Sequence, residues 1–376
     1  MKLLVAPADG VAPILAAIKR AKKSIEIAIF RFDRTDIELA LKAAAARGVR
    51  VTALIACANS GGARSLRKLE SRFLAAGIIV ARTSDDLTRY HGKYILVDRR
   101  LLYVLSFNLT ALDIDRSRGF GVVTTQAACL KEAAALFKAD CTRTAYTTKG
   151  DSLIVSPANS RRVLGAFLKR AKTQLLIYDP KISDKEMLRI LSDRAKAGVE
   201  IRIIGHVAGK PTFDVQKLSG TRLHTRTIIR DRRQAFIGSQ SLRAAELDSR
   251  REVGLVIQQA GVVKALIHTF EGDWLRTTIK TAAAPADQAD APVDQPDAAS
   301  AGDVATAVKV FTKELQPLAT SVKKAVRLAV IKAGEDVLHN KDVKNTMKKV
   351  VKQAVKEAVK EAVHEAQDAM PLASAP

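Results

Sequence analysis

Apolar and polar positions along the first 280 residues follow a rhythm that occurs twice. A helix ends in the basic cluster Ile18-Lys19-Arg20-Ala21-Lys22, and an apolar run from Ile25 to Phe32 has strand character. An amphipathic helix follows over about 36–46, with Gly48 just past its end, where a left-handed cap conformation suits glycine. A β-rich run from Val49 to Ala56 completes the unit. The same order returns 150 residues later: Leu168-Lys169-Arg170-Ala171-Lys172, an apolar run from Leu175 to Tyr178, a helix over about 184–196, Gly198, and a β-rich run from Val199 to Ile204. Strands alternating with helices predict an α/β fold with a substantially parallel sheet, and the repeat predicts two similar lobes, 1–147 and 148–280.

The rhythm then stops. Residues 281–302 are rich in Ala, Pro and Asp without periodicity and read as a flexible linker. In 303–376, Val351, Val355, Val359 and Val363 recur every fourth residue beside paired Lys and Glu, which predicts an amphipathic helical tail. Pro317 and Gly334 divide it into two or three helices. Its stripe suits self-association or packing on the core; an interfacial membrane helix is the alternative, although bulky apolar residues are scarce on it.

Composition narrows the partners. The chain has 376 residues with 62 Lys and Arg against 39 Asp and Glu, a formal charge of +23. Residues 1–280 hold 49 basic and 26 acidic residues, so the whole excess lies in the duplicated core. Such a core attracts anionic partners: nucleic acid, anionic lipid or phosphorylated small molecules. Cys57, Cys129 and Cys141 are too scattered for a disulfide framework or a zinc site. No apolar run approaches a membrane span of about 18 residues, and the opening Met1–Asp9 breaks off too soon for a signal peptide. The expected location is cytoplasmic, with peripheral membrane contact possible.

Two of the six histidines share a setting. His91-Gly92-Lys93 leads through Asp98 to Ser106-Phe107-Asn108, and His224-Thr225-Arg226 leads through Asp231 to Ser239-Gln240-Ser241. The offset is now 133, so the first lobe carries 17 extra residues, placed mostly within Ala58–Ser71. In a strand, positions i and i+2 share a face, which sets His91 beside Lys93 and His224 beside Arg226. A fixed cation holds the non-bridging oxygens of a phosphate while imidazole reaches phosphorus or the leaving oxygen. Two such pairs facing across a pseudo-twofold axis could attack and donate a proton without metal or cofactor.

His-x-Lys-x4-Asp with a trailing Ser-x-Asn, occurring twice and followed by Glu252-Val253-Gly254, resembles the phospholipase D superfamily over about residues 10–275. The resemblance implies two α/β/α lobes with the active site between them and a phosphohistidine intermediate resolved by water or an alcohol. It implies that His91 and His224 are nucleophile and general acid/base, with His91 favoured as nucleophile. Lys93 and Arg226 would bind phosphate, with Ser106, Asn108, Ser239 and Ser241 lining its pocket. Glu252 would orient a histidine, and Asp98 and Asp231 would fix turns. Four positions depart from the family pattern: Arg226 for Lys, Ser241 for Asn, Leu105 for Gly, and Gly119 where the first lobe should match Glu252. Asp113 and Asp115 are candidates to replace that carboxylate. Three functions fit: a phosphodiesterase or phosphatidyltransferase on phospholipid, a metal-independent nuclease, or a non-catalytic binder of anionic polymer or membrane. Only 5% of residues are aromatic, which counts against stacking on single strands.

Overall fold

The computed structural model describes residues 1–57, 63–84 and 86–283. The last helix, Ala260–Ala283, takes in the first three residues of the expected linker, so the linker does not begin at 281; the rest of it and the whole expected tail lie outside the described residues.

Each lobe is built on a sheet, and the two sheets have the same strand order. The first runs Lys2–Ala6, Ser117–Thr124, Leu101–Leu105, Tyr94–Val97, Ser24–Ile29, Arg50–Ile55, Ile79–Arg82. The second runs Ile154–Val155, Val253–Ile257, Gln234–Gly238, Arg226–Arg230, Gln174–Ile182, Glu200–Val207, Asp214–Gln216. The expected substantially parallel sheet needs correction. Within each sheet only the last three strands named are parallel to one another; the other neighbours are antiparallel. Helices Thr35–Ala46 and Lys185–Lys196 carry the chain across to a parallel neighbour, whereas the strands after each histidine fold back, first through a tight turn and then through a connection that includes one short helix, Ala111–Arg116 or Ala244–Asp248.

The extra residues of the first lobe form a helix, Ala63–Ala75, between Arg50–Ile55 and Ile79–Arg82. The second lobe has no described helix between Glu200–Val207 and Asp214–Gln216.

The motif aspartates sit in hairpin turns. Asp98 and Arg99 have φ of 52° and 51°, and Asp231 and Arg232 have 51° and 54°, conformations that Asp tolerates better than most residues. The Asp98 carboxylate accepts the backbone N–H of Lys22, Lys23 and Ser24 at 3.0, 2.6 and 2.9 Å. Asp231 accepts those of Lys172, Thr173 and Gln174 at 3.0, 2.8 and 3.1 Å. Both aspartates therefore clamp the loop entering a central strand, at the far end of the sheet from the histidines.

Helices cover both faces of the sheets, giving the α/β/α layering. Ile18, Leu41 and Phe73 pack one face of the first sheet, and Leu164, Leu168 and Leu191 pack one face of the second. A third core belongs to both lobes. It joins Tyr94, Phe120 and Leu136 to Tyr178, Ile237 and Phe270, with the Phe120 and Tyr178 rings 5.5 Å apart. Trp274 stacks on Phe270 at this core's edge.

Two reciprocal strand pairings also join the lobes. Arg89–Tyr90 pairs in parallel with Arg250–Arg251, and Arg222–Leu223 with Ser117–Arg118. Each partner is displaced from its counterpart by 133 residues, so the pseudo-twofold relation extends to the interface itself. The buried pairs Arg118–Asp273 at 2.7 Å and Arg251–Asp140 at 3.0 Å obey the same relation. This shared core and interface hold the two motifs in one compact body.

Candidate active site

Each histidine lies in a break between two strands. The residues before it pair with the opposite lobe, and the residues after it enter the sheet of its own lobe. The His91 N–H donates to Arg251 O at 2.8 Å, and the His224 N–H donates to Arg118 O at 3.1 Å. Both contacts cross between lobes, so they draw the two motifs to one place. His91 and Lys93 stand in a short step outside the strands and still share a side, as expected: the His91 ring and the Lys93 ammonium lie 4.8 and 5.4 Å from the Phe30 ring. The Lys93 ammonium donates back to His91 O at 2.6 Å, and Arg226 Nη1 donates to His224 O at 3.4 Å. Gly92 permits this step: a Cβ there would lie 2.9 Å from the Val253 side chain.

The carboxylates are also exchanged. Glu252 of the second lobe reaches His91 of the first, with Oε2 2.8 Å from Nδ1, and Glu252 is fully buried. When Glu252 is ionised, Nδ1–H donates to it and Nε2 is left with its lone pair toward the site. In the reciprocal direction, Asp113 Oδ2 lies 3.4 Å from His224 Nδ1 without completing a hydrogen bond. Asp113 also accepts Asn108 N–H at 2.8 Å and Asn108 Nδ2 at 2.7 Å, and pairs with Arg222 at 2.7 Å. Asp115 instead pairs with Arg34, away from the histidines. Position 119 could not hold a carboxylate here, because a Cβ on Gly119 would meet the Phe107 ring at 2.8 Å.

The electrostatics are those of a buried cationic site. His91 is 4% exposed and His224 8%. Burial holds the His91 imidazole well below its ordinary value, helped by the charges of Lys93, Arg226, His224 and Arg250. His224 is held down to about 3 by burial, with Asp113 opposing and Arg226 and Arg222 adding to the depression. Burial brings the Lys93 ammonium down to about 7. Glu252 is pushed up to about 8 by burial and by the Glu246 charge. Burial also works to raise Asp113, but His224, Arg222 and the Asn108 bonds outweigh it and hold it at about 2. Each shift reports charges that lack water, and the excess is positive, so an anion placed between Lys93 and Arg226 would relieve it.

The expected pocket hydroxyls are held by bonds within the protein. Ser106 Oγ accepts Phe120 N–H at 2.9 Å and Ser239 Oγ accepts Val253 N–H at 3.1 Å, both fully buried. They tie the histidine segments' sheets together, and Ser239 also bonds Glu252. Ser241 Oγ accepts Arg226 Nε at 3.3 Å, and Asn108 Oδ1 has no protein partner. Of the expected pocket residues, Asn108, Ser239 and Ser241 therefore stand beside charged site groups, while Ser106 bonds backbone.

The sequence reading passed over Glu246, Arg243 and Arg250. The signal was present: Asp113 plus 133 is Glu246, so a carboxylate recurs at equivalent positions. Glu246 accepts Ser241 N–H at 2.6 Å as Asp113 accepts Asn108 N–H. Among the described residues, no cluster of three or more His, Cys, Asp or Glu could hold a metal ion. No described helix is long and apolar enough to cross a membrane.

Duplicated lobes, reciprocal interlobe contacts and a shared two-histidine site define a phospholipase D-like protein. The family model described as cardiolipin synthase, PLD-like domain matches residues 14–141 and 164–274, and the chain belongs to that family. The structure is similar to polyphosphate kinase from Porphyromonas gingivalis, with TM-score 0.62 and 18% identity, covering 72% of this chain and 49% of that one. The chain thus spans about half the length of that protein. It is also similar to phosphatidylserine synthase from Haemophilus influenzae, with TM-score 0.55 and 11% identity, covering 73% of this chain and 86% of that one. Nuc from Salmonella typhimurium, a phospholipase D family member, aligns at 26% identity over 37% of this chain and 93% of its own, with TM-score 0.34. No curated protein sequence matches the chain.

Proposed function

We propose that this protein cleaves or transfers a phosphodiester through a phosphohistidine, with phospholipid as the substrate class. The observation that carries the reading is the crossed pair, Glu252 on His91 and Asp113 beside His224, around Lys93 and Arg226. An anionic phosphate between the two cations would offset the neighbouring charges that add to the depression of both imidazoles by burial. His91 Nε2 then attacks phosphorus as the P–O bond to the leaving alcohol breaks, and His224 delivers a proton to that oxygen. Water or a second alcohol next attacks phosphorus, His224 takes its proton, and the P–N bond breaks. Glu252 stabilises the charge that His91 gains when the P–N bond forms.

The name of the family model and of the phosphatidylserine synthase relative favour phospholipid. The nuclease reading is favoured by a different observation, the basic residues around the site: Arg31 and Arg89 lie over the Phe30 ring at 5.6 Å each, and Arg222 flanks His224. Turnover assays on diacylphospholipid vesicles and on single- and double-stranded DNA separate the two. His91→Ala and His224→Ala should each abolish turnover, and EDTA should leave it unchanged. Acid-quenched protein should carry phosphate on His91; label on His224 would reverse the assignment. Binding of either substrate without turnover would establish the non-catalytic reading.

A further inference from the structure

The second lobe brings more positive charge to the site than one phosphodiester needs. Three arginines converge on the single carboxylate of Glu246: Arg250 at 3.3 Å, Arg243 at 3.4 Å and Arg226 at 4.0 Å. One arginine would neutralise Glu246. Arg226 is already assigned to the scissile phosphate, which leaves one of the other two cations in surplus.

The pseudo-symmetry shows that the fold does not require these side chains. The positions matching Arg243 and Arg250 in the first lobe are Thr110 and Ser117. Thr110 caps a helix there, accepting Asp113 N–H at 3.2 Å. Arg243 holds the equivalent cap position and makes no side-chain cap bond, so the second lobe forgoes a stabilising contact to place a guanidinium here.

Arg250 also faces the chemistry. Its side chain is only 13% exposed, its Nε has no hydrogen-bond partner, and its charge acts on His91. Its strand partner across the lobe interface is Arg89, and residues in register on parallel strands project to the same side. Arg89 is two residues before His91, as Arg222 is two before His224.

Resting on the phosphodiester reading above, we infer that Arg250 and Arg243, with Arg89 across the interface, form a second anion subsite beside His91. The substrate this site accommodates therefore carries a second phosphate group next to the one that reacts. Guanidinium groups suit this task because they bind phosphate oxygens in a fixed fork.

Equilibrium binding by calorimetry to the full-length protein tests the subsite, with inorganic phosphate, pyrophosphate, thymidine 5′-monophosphate and thymidine 3′,5′-bisphosphate as probes. The two-phosphate probes should bind about tenfold or more tighter than their one-phosphate counterparts, the scale of one charge-assisted hydrogen bond. The ratio should fall to near one in Arg250→Gln and Arg243→Gln and be partly restored in Arg250→Lys. Circular dichroism and thermal unfolding check that each variant folds, and Arg89→Gln gives an independent variant outside the Glu246 cluster. Equal binding of one- and two-phosphate probes by the native protein, or a ratio that survives in all three Gln variants, would overturn the subsite alone. Failure of every probe to bind would overturn the phosphodiester reading itself. Pyrophosphate preference without bisphosphate preference assigns the subsite to directly linked phosphates, and the reverse assigns it to phosphates separated by a sugar.

Discussion

Glu252→Gln tests the crossed arrangement most directly. Glutamine keeps the shape and a hydrogen-bonding end but removes the charge. Glu252 Oε2 is 2.8 Å from His91 Nδ1, with side chains 0% and 6% exposed. At an effective dielectric of about 20, unit charges about 4 Å apart interact by about 4 kcal/mol. A charge-assisted hydrogen bond contributes about 1.5–3 kcal/mol net. Neighbouring cations offset part of this, so about 3 kcal/mol is a working figure for the stabilisation lost as His91 becomes positive. At about 1.4 kcal/mol per factor of ten, kcat should fall about 100-fold. The pH profile should change as well. Protonated Glu252 donates to Nδ1 and forces the ring proton onto Nε2, which cannot then attack. Ionised Glu252 accepts from Nδ1–H and frees Nε2. In the native protein kcat/KM should therefore rise toward the alkaline side as Glu252, pushed up to about 8 by burial and Glu246, ionises, and should fall on that side as Lys93, brought down to about 7 by burial, loses its ammonium proton. In Glu252→Gln the rising limb should disappear. The assay is steady-state hydrolysis of bis(4-nitrophenyl) phosphate from pH 5 to 10. A variant within threefold of the native kcat, with the alkaline-rising limb intact, would refute the role.

Other outcomes follow from the same geometry. Asp113→Asn should lower kcat by about tenfold or more, since a buried charge beside His224 is lost, whereas Asp115→Asn should match the native enzyme. Equal effects of the two would remove Asp113 from the site. Gly119→Glu should fail to restore a matching carboxylate and should cost about 1–3 kcal/mol in urea unfolding, because the Phe107 ring occupies that space; unchanged stability would show that the ring yields. Asp273→Ala, which strands the buried Arg118, should cost about 3–5 kcal/mol of stability and abolish turnover through the lobe interface. A stable, active variant would show that this pair does not hold the lobes. Glu252 also carries a stability consequence. The folded protein keeps a proton that the unfolded chain releases above the ordinary value of 4.5, up to about 8. Stability should therefore fall as pH rises through that window, and thermal unfolding of Glu252→Gln should show a shallower fall.

Sequence alone determined what depends on local periodicity and on duplication. The alternation of apolar runs and amphipathic stretches placed the helices Thr35–Ala46 and Lys185–Lys196 and the strands beside them, because amphipathic patterning is a property of a few consecutive residues. The repeat exposed the two histidines with their cations, since each lobe serves as a control for the other. Tertiary structure decided which groups those histidines meet. Glu252 lies 161 positions from His91 in the chain and Asp113 lies 111 from His224; no local spacing chooses between Asp113 and Asp115, and only the crossing of strands at the interface does. Sheet direction was similarly out of reach past the histidines, where a tight turn and then a connection with one short helix both return the chain antiparallel. The core's surplus of basic residues was plain from composition. Its concentration around Glu246 depends on where Arg226, Arg243 and Arg250 meet in three dimensions, because charge is counted along a chain but acts through space.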